Sequence, residues 1–200
     1  MSSYRTFLAE YIAREAKPSE KFGHQPRLYA LTRLIGQGME YDDDVVYAAA
    51  WLHDLGVFIG HRPEEPDLLS RWDHVRYTVQ KVPAILAEAA FPAAKVPAVL
   101  DAIQTHQPKD SPMSIEAVIL RDADILEQLG AVGILRAISK VGKDTRFHTY
   151  TPAIASLRRA LIELPPMIRL DPARALAEPR VQILQTFLAA IEEETHESLF

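Results

Sequence analysis

Eight apolar residues in a row, Val45 to Leu52, run straight into His53-Asp54-Leu55-Gly56. A helix that is apolar on every side belongs in an interior, so the rest of the chain has to be arranged around this stretch. The run is far too short to span a bilayer. Asp42-Asp43-Asp44 stands just ahead of it, where acidic groups satisfy free amides and oppose the helix dipole favourably. Gly56 suits the helix end. His53 and Asp54 are thereby delivered side by side at the end of a buried helix. Imidazole nitrogen and carboxylate oxygen are good donors to a hard or borderline divalent cation.

The remaining chain reads as helix almost throughout. Residues 3–16 place Phe7, Leu8, Tyr11 and Ile12 on one face. Pro26 suits the first turn of a second helix, with Leu28, Leu31, Leu34 and Ile35 as its apolar positions and Gly36-Gln37-Gly38 as its stop. Asp67 is expected to cap a helix with Leu68, Trp72, Val75 and Val79 inward, and Arg71, His74 and Thr78 sharing another face. Pro83 and Pro97 predict kinks or helix starts. Val99, Ile103 and His106 stack before Pro108. Further helices are expected over 114–129, 131–141, 153–163 and 173–195, the last with Ile183, Leu184, Phe187, Leu188 and Ile191 as its stripe. The expectation is an all-α fold forming a single domain over residues 1–200.

Composition narrows the function. A net charge of −5 argues against broad nucleic-acid binding, while leaving room for a local basic pocket for one phosphate. With no cysteine, there is no disulfide, no thiolate zinc site and no cysteine nucleophile. The first residues lack the apolar core of a signal peptide, and no run suits a membrane, so a soluble, cytoplasmic protein is expected.

The His53-Asp54 pair needs further ligands. Seven histidines occur, and His24, His53, His74 and His106 sit at helix ends or on mixed faces. Asp122 and Asp124 lie in the apolar helix Ala117 to Leu126, where a carboxylate needs a partner because burying it alone is costly. Plain readings stand beside these: His106 capping a helix C-terminus, Arg71 pairing with Asp67 or Asp73, and Asp122 in place of Asp124 as the ligand.

In order, His24, then His53-Asp54, then Ala123-Asp124-Ile125-Leu126 resembles the HD-domain metal-dependent phosphohydrolase superfamily. His24-Gln25-Pro26-Arg27-Leu28 is similar to the family's first histidine with its arginine three residues on. Phe91-Pro92 through His106, Arg121 to Asp124 with Leu129 to Ile134, and Leu164-Pro165 with the final helix resemble a small stand-alone branch. The likeness covers roughly residues 20–195, and its strength lies in the ordered set.

The resemblance implies a helical bundle around a central divalent ion (Mn, Mg, Fe, Co or Ni) held by His24, His53, Asp54 and Asp124. The ion would bind a phosphoryl oxygen and acidify a water, Asp54 would take a proton from it, and Arg27 and Arg71 would neutralise phosphate charge. His61 and Arg62, in the loop after the His-Asp pair, are the expected substrate contacts. The implied substrate is a small phosphate ester or anhydride, most simply a nucleotide. His74 and His106 extend the set to six ligands, enough for two ions bridged by Asp54. That ligand order also occurs in diiron oxygenases of the superfamily, an alternative activity; a non-catalytic metal- and nucleotide-binding module is another. A homodimer is left open. Two departures bear on substrate: Ile125 where the branch usually has arginine, and the loop carrying His61-Arg62-Pro63-Glu64-Glu65 where it usually has lysine.

Overall fold

The computed structural model describes residues 3–142 and 147–195. Among the described residues there are ten α-helices and four short 3-10 helices, and the only β feature is an isolated bridge between Ile59 and Arg62. The fold is all-α, as the periodicity predicts. Among the described residues no helix is long and apolar enough to cross a membrane. His196 lies outside the described residues. The chain divides into two compact units, residues 1–121 and residues 122 onward.

In the first unit, α3 (Asp43–Leu52) is buried along its whole length from Val45. Helices α1 (Tyr4–Glu15), α2 (His24–Ile35) and α6 (Val96–Gln104) pack on it. Ala48, Ala49 and Ala50 are fully buried, and such small side chains let neighbouring helices approach closely. Enlarging one of them would overpack the centre, typically at a cost of about 1–3 kcal/mol.

The three aspartates at the start of α3 do more than cap. Asp42 accepts the Asp44 amide at 3.0 Å, and Lys95 reaches Asp42 and Asp44, each at 2.8 Å. Arg5 bonds Asp43 at 2.9 Å and Asp44 at 2.8 Å, and the Tyr4 hydroxyl also bonds Asp44. Lys95, then Tyr4 and Arg5, hold the Asp44 carboxyl well below the usual carboxylate range. Burial pushes the neighbouring Tyr47 hydroxyl up to about 12.

The stretch after α3 departs from the expected single helix. Two helices form there, α4 (Pro66–Ser70) and α5 (His74–Glu88). The Asp73 side chain accepts the Arg76 amide at 2.9 Å and so caps α5. A side chain that takes up a backbone amide this way starts a new helix instead of continuing the old one. Leu68 is consequently exposed, and α5 buries Thr78, Val82, Ile85 and Leu86. Pro97 begins α6 as expected, whereas Pro83 sits inside α5 on an exposed position. Leu34 of α2 also faces outward, against its expected place in the stripe.

Helix α7 (Ile115–Leu126) carries the chain into the second unit, where α8 (Gly130–Ile138), α9 (Tyr150–Glu163) and α10 (Asp171–Thr195) pack on one another. Its core includes Ile154, Leu157, Leu164, Ile168, Leu184 and Leu188. Ile183 is exposed, because at 3.6 residues per turn it lies off the row set by Leu184 and Leu188.

Candidate metal centre

Three separate helix ends converge in the first unit. His24 is the first residue of α2, His53 follows the last residue of α3, and His106 follows the end of α6. All three are buried: His53 completely, His106 to 3% exposure and His24 to 6%. His24 Nε2 and His53 Nε2 stand 3.2 Å apart, and the Asp54 carboxylate lies 3.7 Å from the first and 3.5 Å from the second. Ligand atoms of His53, Asp54 and His106 all lie within 4.8 Å of one another. The His106 ring centroid is 5.0 Å from that of His53, and the His74 ring, at the start of α5, is 6.2 Å from His106.

Two of the rings are oriented by the same local device. His53 Nδ1 meets the Ala50 carbonyl at 3.0 Å, and His106 Nδ1 meets the Ile103 carbonyl at 2.6 Å. A carbonyl can only accept, so each Nδ1 carries the proton. In the neutral ring each Nε2 then keeps its lone pair. Two imidazole nitrogens ligating one ion at about 2.1 Å and at right angles would lie about 3.0 Å apart. The observed 3.2 Å is close to that value. The donor set therefore fits a divalent cation of borderline hardness.

Asp54 follows His53 and retains about a fifth of its side-chain exposure. Burial works to raise its pKa, while the positive charge that the rings of His53, His24, His106 and His74 carry when protonated works, in that order, to lower it.

The other residues singled out in the sequence are placed as follows. Arg27 is exposed on α2, its guanidinium folded back against Gly23, where an added Cβ would meet Nη1 at 2.8 Å. Arg71 is exposed at the end of α4. His61 is engaged at both ring nitrogens, by Tyr77 and by Glu15, each at 3.0 Å. Arg62 is half-buried, its amide bonded to the Phe58 carbonyl at 3.1 Å.

In the second unit, Asp122 accepts the backbone amides of Arg169 at 3.0 Å and Leu170 at 2.8 Å, holding the entry to α10. Asp124 is 9% exposed, with Gln128 Nε2 at 3.3 Å from its Oδ2. Of the two carboxylates left open by the sequence, Asp122 is thus the one taken up by backbone amides.

Sequence reading missed Trp72 and Thr78 as supports of the site. Trp72 Nε1 donates to the Gly56 carbonyl at 2.8 Å, and the Thr78 hydroxyl accepts the Gly56 amide at 3.0 Å. The one local signal is that Thr78 stands four residues after His74, on the same helix face. The two described surface hollows lie among other residues. One, of about 580 Å³, is lined by Glu40 to Asp44 and Glu116; the other, of about 730 Å³, includes Tyr29, Arg33, Leu34 and Tyr41. Neither is lined by a histidine.

A family model described as "HD domain" matches residues 21–129 of this chain. The chain belongs to the HD-domain family. The HD-domain match takes in His24, His53, Asp54, His74, His106 and Asp124. The YpgQ protein of Bacillus subtilis (strain 168) is 28% identical over 198 residues, covering 95% of this chain and 91% of YpgQ. A crystal structure of YpgQ matches with a TM-score of 0.72 at 24% identity, over 96% of this chain and 95% of that one. The structure of YpgQ in complex with ADP matches with a TM-score of 0.68 at 25% identity, over 96% and 94%. An HD-superfamily hydrolase from Bacillus thuringiensis has the same fold, with a TM-score of 0.68 at 22% identity over 97% and 95%.

Proposed function

We propose that this protein is a divalent-metal-dependent phosphohydrolase acting on a phosphate ester or anhydride of a nucleotide. The observation that carries the reading is the pair of Nε2 atoms of His24 and His53, 3.2 Å apart and both facing Asp54. The ADP complex of YpgQ supports the nucleotide as substrate class.

A divalent ion held here supplies Lewis acidity: it polarises a phosphoryl oxygen and lowers the pKa of a water at the site. His24, His53 and Asp54 would hold it, with Asp124 as the further ligand from its position in the family order. His106 and His74, sharing Asp54, would hold a second ion; a nitrogen-rich set of this kind favours Mn, Fe, Co or Ni over Mg. Asp54, with its carboxylate 3.7 Å from His24 Nε2 and 3.5 Å from His53 Nε2, would take the proton of the attacking water. Arg27 and Arg71, both exposed, are proposed to neutralise the phosphate, and Arg62 to contact substrate. His61, engaged by Glu15 and Tyr77, would act through the loop it anchors.

Metal-depleted protein reloaded with Mn²⁺ and incubated with nucleoside mono-, di- and triphosphates tests the reading. Phosphate or pyrophosphate release that depends on metal is the expected result. Absence of release across all of them, with metal bound, would overturn it. The ring of His74 near His106 favours a second reading, a diiron oxygenase. In that case the protein would carry iron as purified and consume O₂.

A further inference from the structure

We infer that Thr78 is a positioning residue that fixes His74 against the His53-Asp54 turn. This rests on the proposal that His74 belongs to the metal centre. The turn after Asp54 has one amide and one carbonyl at Gly56, and both are taken by the segment around His74. The Gly56 amide donates to Thr78 Oγ1 at 3.0 Å, and the same hydroxyl donates onward to the His74 carbonyl at 2.8 Å. The Gly56 carbonyl accepts from Trp72 Nε1 at 2.8 Å.

The approach is close as well as bonded. A Cβ on Gly56 would sit 2.5 Å from the His74 carbonyl oxygen and 2.9 Å from its Cα. Backbone thus lies directly on backbone, and the glycine is what permits it. Thr78 is fully buried, so its hydroxyl has no water to turn to, and one oxygen serves as acceptor and donor at once. Asp73 caps the same helix end and fixes its direction. The consequence is that the His74 backbone cannot shift relative to the Gly56 turn without breaking the hydroxyl bridge. Partners that orient a ligand in this way commonly govern metal affinity by about 10- to 100-fold.

Thr78→Val keeps the shape and removes the hydroxyl, Thr78→Ser keeps the hydroxyl, and Trp72→Phe removes the indole donor together with part of the ring. The first measurement uses metal-free protein. The Gly56 amide should exchange with solvent about tenfold faster in Thr78→Val and near the wild-type rate in Thr78→Ser. The second is Mn²⁺ titration of the full chain. Thr78→Val should weaken the lower-affinity site by about 10- to 100-fold and leave the tighter one unchanged, with Thr78→Ser restoring it. Trp72→Phe should move both readouts in the same direction, and it serves if Thr78→Val does not fold. A folded Thr78→Val with an unchanged Gly56 exchange rate overturns the bridge. Faster exchange with both Mn²⁺ sites unchanged overturns its role toward His74. If wild-type protein binds no Mn²⁺ at all, the metal reading falls, and the role of Thr78 toward a metal ligand falls with it; the exchange rates then still decide whether the bridge exists.

Discussion

His24 and His53, 29 residues apart in the chain, meet Nε2 to Nε2 at 3.2 Å. With Nδ1 of His53 committed to the Ala50 carbonyl, the meeting point is a lone pair in a buried place. A shared cation makes such a meeting favourable. His53→Ala and His24→Ala should each abolish metal-dependent turnover and lower Mn²⁺ affinity by at least about 100-fold, while circular dichroism stays helical. Retained turnover in either variant counts decisively against the assignment.

Asp122 and Asp124 separate by what each variant loses. Asp122→Asn disturbs acceptance of the Arg169 and Leu170 amides, so it should lower the stability of metal-free protein by about 1–3 kcal/mol. Asp124→Asn should leave metal-free stability nearer wild type and weaken Mn²⁺ binding. Chemical denaturation without metal, followed by Mn²⁺ titration, distinguishes them; the reverse pattern would make Asp122 the ligand.

Metal binding and folding should be linked. If the buried histidines hold an ion only in the folded state, free Mn²⁺ at 100 times its dissociation constant stabilises the fold by about 2.7 kcal/mol. Thermal unfolding with Mn²⁺ and with excess chelator reads this as a higher Tm with metal. An identical Tm under both conditions would mean no such linkage.

The acid limb of stability should depend on Lys95, the largest cause of the lowered Asp44 pKa. A folded-state pKa below the unfolded one adds stability that is fully present above the ordinary carboxylate range, near pH 4, and is lost as pH falls through the folded value. The groups are about a third exposed, so Lys95→Met should cost no more than about 1 kcal/mol at pH 7. That gap should narrow as pH falls below 4. Denaturant unfolding at a series of pH values measures it, and a gap that widens in acid contradicts the account.

Much of the fold is legible in local pattern. The unbroken apolar run of α3 needs no tertiary information to read as buried, and Asp42 caps it as its chemistry dictates. The break between α4 and α5 was not legible, because Asp67 and Asp73 are equally good caps in the sequence and only the path of the chain selects Asp73. Leu34 and Ile183 read as core and lie outside, since helical period marks a stripe but not how wide a neighbour covers it.

Periodicity, a local property, reads as an all-α chain, and the order of residue types, through its resemblance to the HD-domain superfamily, nominates His24, His53, Asp54, His74, His106 and Asp124. The meeting of the histidines and Asp54 is not local. It depends on α2 and α5 beginning where α3 and α6 end, on carbonyls three residues back turning two rings, and on a threonine hydroxyl bridging Gly56 to His74. Distances of a few ångströms between positions tens of residues apart are set by packing, which no single stretch encodes.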